Sequence, residues 1–351
     1  MHFDEKLLTV NKEAELVSVY VAADEIERTL SANADQCASI ARFIHTYSPE
    51  ELILVGSGAS YASLYAGHYF MRVASALPTT LAFGPELVGD DPAGLRSRRA
   101  VAIMASYGGR TVDTLEAAGY LSGLCIPRIA ITRDENSLLA ASCDHVISYG
   151  SRCLFTSAMA NLLLLLAELL LLRGEQTAAI EMKEALRRLP DQIRTVISKS
   201  EREALAALER VCDEELFYVL GDGALWGLAY QYGYTNLTEY ARVHAACLRS
   251  CEWRHGTLEL LFRRPAVIML LGNDGSRPYA EATRDYCVDR GAKVTAFDVR
   301  DYFETLPTLA PFVLHPVSQF FLLYLCTHLG VNMDEYLEMH VRPYRKGEAH
   351  F

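Results

Sequence analysis

The sequence predicts an α/β protein made of two similar domains, each a parallel sheet flanked by helices. Three observations predict it. Short apolar runs with β-branched residues alternate with helical stretches, the signature of parallel sheets. A strand, glycine-turn, helix unit that begins at Glu51 returns at Glu215, with the elements after it in the same order. The chain has 351 residues, 51% of them hydrophobic, which suits about two domains with a sizeable core and argues against disorder.

The elements follow in order. Residues 1–35 are an acidic, helical N-terminal segment, and residues 36–195 are the first domain with its connecting helices. In "ELILVGSGASYASLYAGHYFM", Leu52 to Val55 is a strand, Gly56-Ser57-Gly58 a turn and the Ala/Tyr/Leu stretch a helix. Tyr61, Tyr65 and Tyr69 recur at i, i+4, i+8, a stripe expected in a core or an interface. "RAVAIMASYGGRTVDTLEAA" is again strand, Ser/Gly turn and helix, and Arg128 to Thr132 is the next strand. The run Leu162 to Leu172 reaches about 15 residues with its flanks, short of the ~18–20 of a membrane span, and is expected to be a buried helix. Glu175 to Arg210 is charged, helical in pattern and connecting.

The second domain, 196–340, repeats the first. Phe217 to Leu220 is a strand before Gly221-Asp222-Gly223-Ala224 and an aromatic-rich helix, and Pro265 to Tyr286 is strand, turn and helix. Lys293 to Phe297 is the following strand, and residues 341–351 form a C-terminal tail.

Composition excludes several functions. The net charge is −11 without a Lys/Arg-rich run, which disfavours nucleic acid as a partner. Nine cysteines form no CxxC pair, which disfavours a zinc ribbon. Their odd number, with no signal-like start, suggests reduced thiols and a cytoplasmic location, without a membrane partner. No GxGxxG follows the first strand and no GxxxxGK[ST] occurs, so nicotinamide and P-loop chemistry are poorly supported. Asp222 and Asn273-Asp274 lie in different turns without ligand spacing, and no metal or other cofactor is expected.

The turns themselves have a chemical meaning. A turn that feeds a helix N-terminus offers unpaired N–H groups and the positive end of a dipole. Ser57, Ser60, Ser106 and Thr111 add hydroxyls, while Gly108 and Gly109 let the backbone approach a ligand. A phosphate cradle and ordinary helix capping both fit this pattern.

"GSGASY", "SYGGRT" and "ITRDENSLLAASCDHVI", in this order, resemble the sugar isomerase (SIS) domain. The duplication resembles the tandem form in the isomerase half of glucosamine-6-phosphate synthase and in deglycases that split phosphorylated Amadori compounds. In "EYARVHAACLRSCEWRHG", Glu239 and His255 stand sixteen positions apart, the spacing of the family's glutamate and histidine, and His244 and Glu252 fall on matching positions. The resemblance implies that Glu239 is the general base that moves a proton between adjacent sugar carbons and His255 a general acid/base. It also implies a homodimer whose site lies at the subunit interface, with the histidine loop contributed across it. His244 packs or binds substrate. Glu252 orients the loop or the sugar, or pairs with Arg249 or Arg254. The tail "VRPYRKGEAHF" is similar to deglycase tails in Arg342, Tyr344, Lys346 and Glu348, and Lys346 is a candidate to enter the site, as a C-terminal lysine does in the synthase.

The departures are local. Thr257 stands where the family has proline, Gly108 where many members have serine, and Arg110 at a position often polar or acidic. A guanidinium there can recognise phosphate or carboxylate. The synthase precedes its SIS pair with a glutamine-hydrolysing domain and the regulators with a helix-turn-helix domain, and neither is expected here. The resemblance therefore implies a deglycase acting on a (6-phospho)fructosyl-amino acid to release glucose 6-phosphate and a free amine. An aminosugar-phosphate isomerase or deaminase, or a non-catalytic sugar-phosphate-binding protein, is the alternative.

Overall fold

The computed structural model describes residues 18–338 and 341. In chain order the first half holds α1 (Ala22–Tyr47), β1 (Glu51–Val55), α2 (Gly58–Ala74), β2 (Thr79–Ala82), α3 (Gly84–Asp90), β3 (Ala100–Ala105), α4 (Val112–Gly123), β4 (Arg128–Thr132), α5 (Leu138–Ala141), β5 (His145–Ser148) and α6 (Leu154–Arg173). The long helix α7 (Gln176–Leu208) leads to β6 (Leu216–Gly221), α8 (Trp226–Tyr230), β7 (His244–Leu248), α9 (Ser250–Trp253), β8 (Ala266–Leu271), α10 (Arg277–Asp289), β9 (Lys293–Asp298) and α11 (Ala310–Leu329).

The two sheets confirm the duplication. The first runs β2-β1-β3-β4-β5 and the second β7-β6-β8-β9, with every neighbouring pair parallel. The shared order is the one the repeated sequence units imply, and β5 is the extra strand of the first sheet. All six residues of β3 and of β8 are buried, as expected of strands covered on both faces. In each sheet the strand order reverses beside its first strand, between β1 and β3 or β6 and β8. Ligands of open α/β sheets bind in the crevice at the carboxyl ends there.

The apolar run is part of α6, a helix of 20 residues and not about 15. It and α11 are both long and apolar enough to cross a membrane, yet 83% and 100% of their most apolar windows are buried inside the protein. Their apolarity serves the core. Asn161, which interrupts the run, is explained by a buried network. Its Oδ1 accepts from Asn33 Nδ2 at 2.8 Å, and its Nδ2 donates to Thr29 Oγ1 at 2.9 Å and to the Ser157 carbonyl at 2.8 Å.

The expected boundaries at 35/36 and 195/196 fall inside α1 and α7, each a continuous helix. The halves also share one hydrophobic core, in which β1 and β3 residues join residues of β6, β8 and α11. Between them α2 crosses α8 closely: a Cβ on Gly227 would stand 2.6 Å from the Ala62 carbonyl oxygen. The tyrosine stripe lies here. Tyr65 and Tyr69 are buried with Ala224 against Trp226, and Tyr61 stacks on Phe83 with centroids 4.2 Å apart. All nine cysteines are free thiols.

Candidate functional site

The first turn joins β1 to α2. Ser57 is the N-cap in an extended conformation, and its hydroxyl makes no cap hydrogen bond. Its carbonyl accepts from the N–H groups of Ser60 and Tyr61 at 3.1 and 3.3 Å. The earlier donors, on Gly58 and Ala59, are those a helix start leaves for a ligand. Ser60 itself is buried. Gly58 lies against the second half: a Cβ there would be 3.7 Å from Thr235 Cγ2.

The second turn joins β3 to α4. Ser106 is buried, and its hydroxyl lies 2.9 Å from that of Thr111, the N-cap of α4. Gly109 has φ +62°, and a Cβ there would stand 2.3 Å from Ser137 Cβ, so only glycine fits. Gly108 and Arg110 are exposed and line an open cleft of about 610 Å³ with Tyr107, Arg133, Asp134 and Asn136. The two turns therefore flank the strand-order reversal of the first sheet.

The equivalent turns of the second half are filled by their own carboxylates. Asp222 is buried and accepts from Ser250 N–H at 3.0 and 3.2 Å, and burial raises its pKa. Asp274 Oδ2 accepts from Ala224 N–H at 3.1 Å. Anion-binding donors are thus spent in one half and kept in the other.

The helix after β6 carries Glu239. From Gln231 to Tyr240 it is a π-helix, with i→i+5 bonding that is rare in proteins and frequent at functional sites. Glu239 is half-buried near its end. Burial raises its pKa, against the opposing hydrogen bond with the Tyr240 side chain. A carboxylate made more basic in this way is a better base near neutral pH.

His255 lies elsewhere in the chain. It is exposed on the loop after α9, where its Nε2 accepts from Arg254 Nε at 3.3 Å and its N–H donates to the Glu252 carbonyl at 2.9 Å. Trp253, 1% exposed and edge-on to Tyr218 at 5.1 Å, anchors the loop. Among the described residues no hydrogen bond joins His255 to Glu239. Glu252 is exposed and forms no salt bridge with Arg249 or Arg254; the Arg249 guanidinium instead lies 4.5 Å over Trp226. His244 is exposed at the first position of β7, outside both cavities. Arg342, Tyr344, Lys346 and Glu348 lie outside the described residues.

Two features escaped sequence reasoning. One is a cavity of about 50 Å³ that Ala59, Gln231, Asn236, Tyr240, His315 and Gln319 help to line. It joins the first-half turn to the π-helix. A buried histidine on the apolar helix α11 was its one sequence signal. The other is Cys212, Asp213 and His328, whose donor atoms lie within 4.8 Å of one another. Burial and the Asp213 charge raise the thiol pKa. His328 sits 3.7 Å from Asp213 in the last turn of α11.

Comparison with known proteins agrees with the fold. Residues 46–172 match the SIS domain model. The chain is 27% identical to the fructosamine deglycase FrlB of Bacillus subtilis over 281 residues, covering 76% of this chain and 84% of that one. It is 23% identical to the fructoselysine 6-phosphate deglycase of Escherichia coli over 312 residues, covering 89% and 92%. A solved Bacillus subtilis structure carrying a phosphosugar-isomerase label superposes with TM-score 0.81 at 22% identity, over 92% of this chain and 99% of that one.

Proposed function

We propose that this chain, whose residues 46–172 match the SIS domain model, is a deglycase acting on a phosphorylated ketosamine in the cytoplasm. The observation that carries the reading is Glu239. It is a half-buried carboxylate of raised pKa on a π-helix that packs against the serine turn of the first half. Relatedness to sugar-phosphate isomerases and deglycases supports an enzyme of this general kind.

The proposed reaction balances with the chain's own groups. The open ketosamine enters with its nitrogen protonated and its phosphate on the donors of the Ser57 and Ser106 turns. Glu239 takes a proton from C1, and that C–H electron pair becomes the C1=C2 double bond. The C2 oxygen receives the proton leaving nitrogen, which gives a neutral enaminol. Glu239 returns its proton to C2, and the nitrogen lone pair forms the C1=N bond of a protonated imine. Water adds at C1 and the C1–N bond breaks, releasing an aldose phosphate and an amine. No redox partner is needed.

His255 assists ring opening from the neighbouring subunit of a homodimer. Its exposure supports this, as do two exposed apolar side chains on the same segments of chain. Phe262 on the histidine loop is 76% exposed and Tyr234 on the π-helix 58%. Lys346 is a further candidate to reach the same site. The exposed Arg110 in the open cleft is placed to meet an anionic group of the substrate, and His244 and Glu252 act in holding loop or sugar.

A panel of fructosyl-amino acid 6-phosphates, with the unphosphorylated forms alongside, tests the reading. Glucose 6-phosphate and one equivalent of free amine are expected from at least one phosphorylated member. Release from unphosphorylated forms alone would remove the phosphate from the serine turns. Silence throughout would sink the deglycase reading in favour of an aminosugar-phosphate isomerase or a binding protein.

A further inference from the structure

Three side chains at the inner cavity are buried and carry a polar atom without a hydrogen-bond partner among the described residues. Gln231 is 4% exposed, Asn236 3% and His315 4%, and the atoms are Gln231 Oε1, Asn236 Nδ2 and His315 Nδ1. All three residues line the same cavity. An unsatisfied buried polar atom is destabilising and rare in folded proteins, so three at one place call for a shared explanation. Two come from the π-helix: Gln231 and Asn236 are i and i+5, the pair its bonding stacks on one side. The third comes from α11, where His315 packs on the Phe155 ring with centroids 5.2 Å apart.

We infer that Gln231, Asn236 and His315 form a subsite for a neutral, hydroxylated carbon chain, the middle carbons of an open-chain sugar phosphate. This rests on the proposed function above. The cavity touches Ala59 of the first-half turn on one side and Tyr240, the hydrogen-bond partner of Glu239, on the other. A phosphate held at that turn and reacting carbons held at Glu239 leave the intervening carbons in the cavity.

Chemistry and size agree. A hydroxyl both donates and accepts, so it satisfies an amide oxygen, an amide nitrogen and either tautomer of an imidazole. No carboxylate lines the cavity among the described residues, and Arg152, the charged residue that does, acts on Glu25. Burial holds His315 down to about 3, so it meets the ligand as a neutral imidazole at physiological pH. About 50 Å³ exceeds the ~10–15 Å³ needed for one water and has room for roughly three or four groups of that size.

The test uses the full chain and calorimetric titration with glucitol 6-phosphate, which cannot close a ring, and with inorganic phosphate. His315→Phe keeps the aromatic contact, and Gln231→Met keeps the length of the side chain. Both remove an unpartnered polar atom, so melting temperatures at or above that of the unsubstituted chain are expected. Each variant should bind glucitol 6-phosphate about 10- to 100-fold more weakly and inorganic phosphate within about twofold of the original.

Unchanged binding of glucitol 6-phosphate by both variants would overturn the subsite. Equal weakening of both ligands would do the same, by showing a packing role. The outcome is separable from that of the enzymatic reading. Loss of glucitol 6-phosphate affinity in a chain that turns over no ketosamine keeps the subsite and discards the deglycase. Full turnover by variants with unchanged glucitol 6-phosphate binding discards the subsite and keeps the deglycase.

Discussion

Glu239 is basic because it is partly withdrawn from water, and that has a measurable sign. Its folded-state pKa lies above the ordinary value, chiefly through burial. The catalytic form is the carboxylate, so kcat/KM should rise with pH through this ionisation. The acid limb should lie above the ~4.3 of an unperturbed glutamate. A limb at or below that value would remove burial as the tuning device. The linkage to stability runs the same way. Below the unfolded pKa both states are protonated, and stability is lost as pH rises through the folded pKa, where the carboxylate is forced to charge while buried. Glu239→Gln should therefore melt no lower than the unsubstituted chain at neutral pH. At the other end of the site, Gly109→Ala meets both a positive φ and the Ser137 side chain. A stability loss of roughly 1–3 kcal/mol is expected in denaturant melts, with weaker phosphate binding. Unaltered melts would show that the turn relaxes freely.

At the scale of elements, the strands and their turns were legible because periodicity and glycine placement are local signals. The strand–turn–helix units at Glu51 and Glu215 both fold as the pattern says. The π-helix was not legible. It packs against β7, α2 and α11, and nothing in "QYGYTNLTEY" distinguishes it from an α-helix. The inner cavity was hidden for the same reason, since Gln231 and His315 are far apart in sequence and meet only through tertiary packing. The spacing of Glu239 and His255 was plain, but spacing does not reveal that one is half-buried and the other on an exposed loop. Asn161 likewise reads as a flaw in an apolar helix until α1 packs on α6 and supplies Thr29 and Asn33. Asn161→Leu removes its three hydrogen bonds and leaves Asn33 with the Ser148 carbonyl and Thr29 Oγ1 as acceptors, and a loss of about 2 kcal/mol in the unfolding free energy is expected by urea titration. A neutral result would mean that water replaces the network at no cost.

For the whole molecule, duplication has produced two halves with different duties. Both keep the same strand order, but the second closes its turns with Asp222 and Asp274, while the first leaves hydroxyls and backbone donors for a ligand. The second half carries Glu239, the proposed base, on its π-helix instead. The proposed dimer shares its site through the exposed His255 loop, and subunit mixing checks that proposal. Glu239→Gln and His255→Asn chains, each inactive alone, should regain about a quarter of full activity when unfolded and refolded together in equal amounts, because half of the dimers then hold one intact site. No recovery would place both groups in one chain's site, and a His255→Asn chain active on its own would remove His255 from catalysis.

The central claim is that Glu239 transfers the proton between C1 and C2, and one paired measurement tests it. Turnover of the best ketosamine phosphate and affinity for glucitol 6-phosphate are compared between the unsubstituted chain and Glu239→Gln. Turnover is predicted to fall about 10²- to 10⁴-fold, the usual scale of a lost general base, while affinity stays within about twofold. Turnover that survives the substitution at full rate would contradict the account.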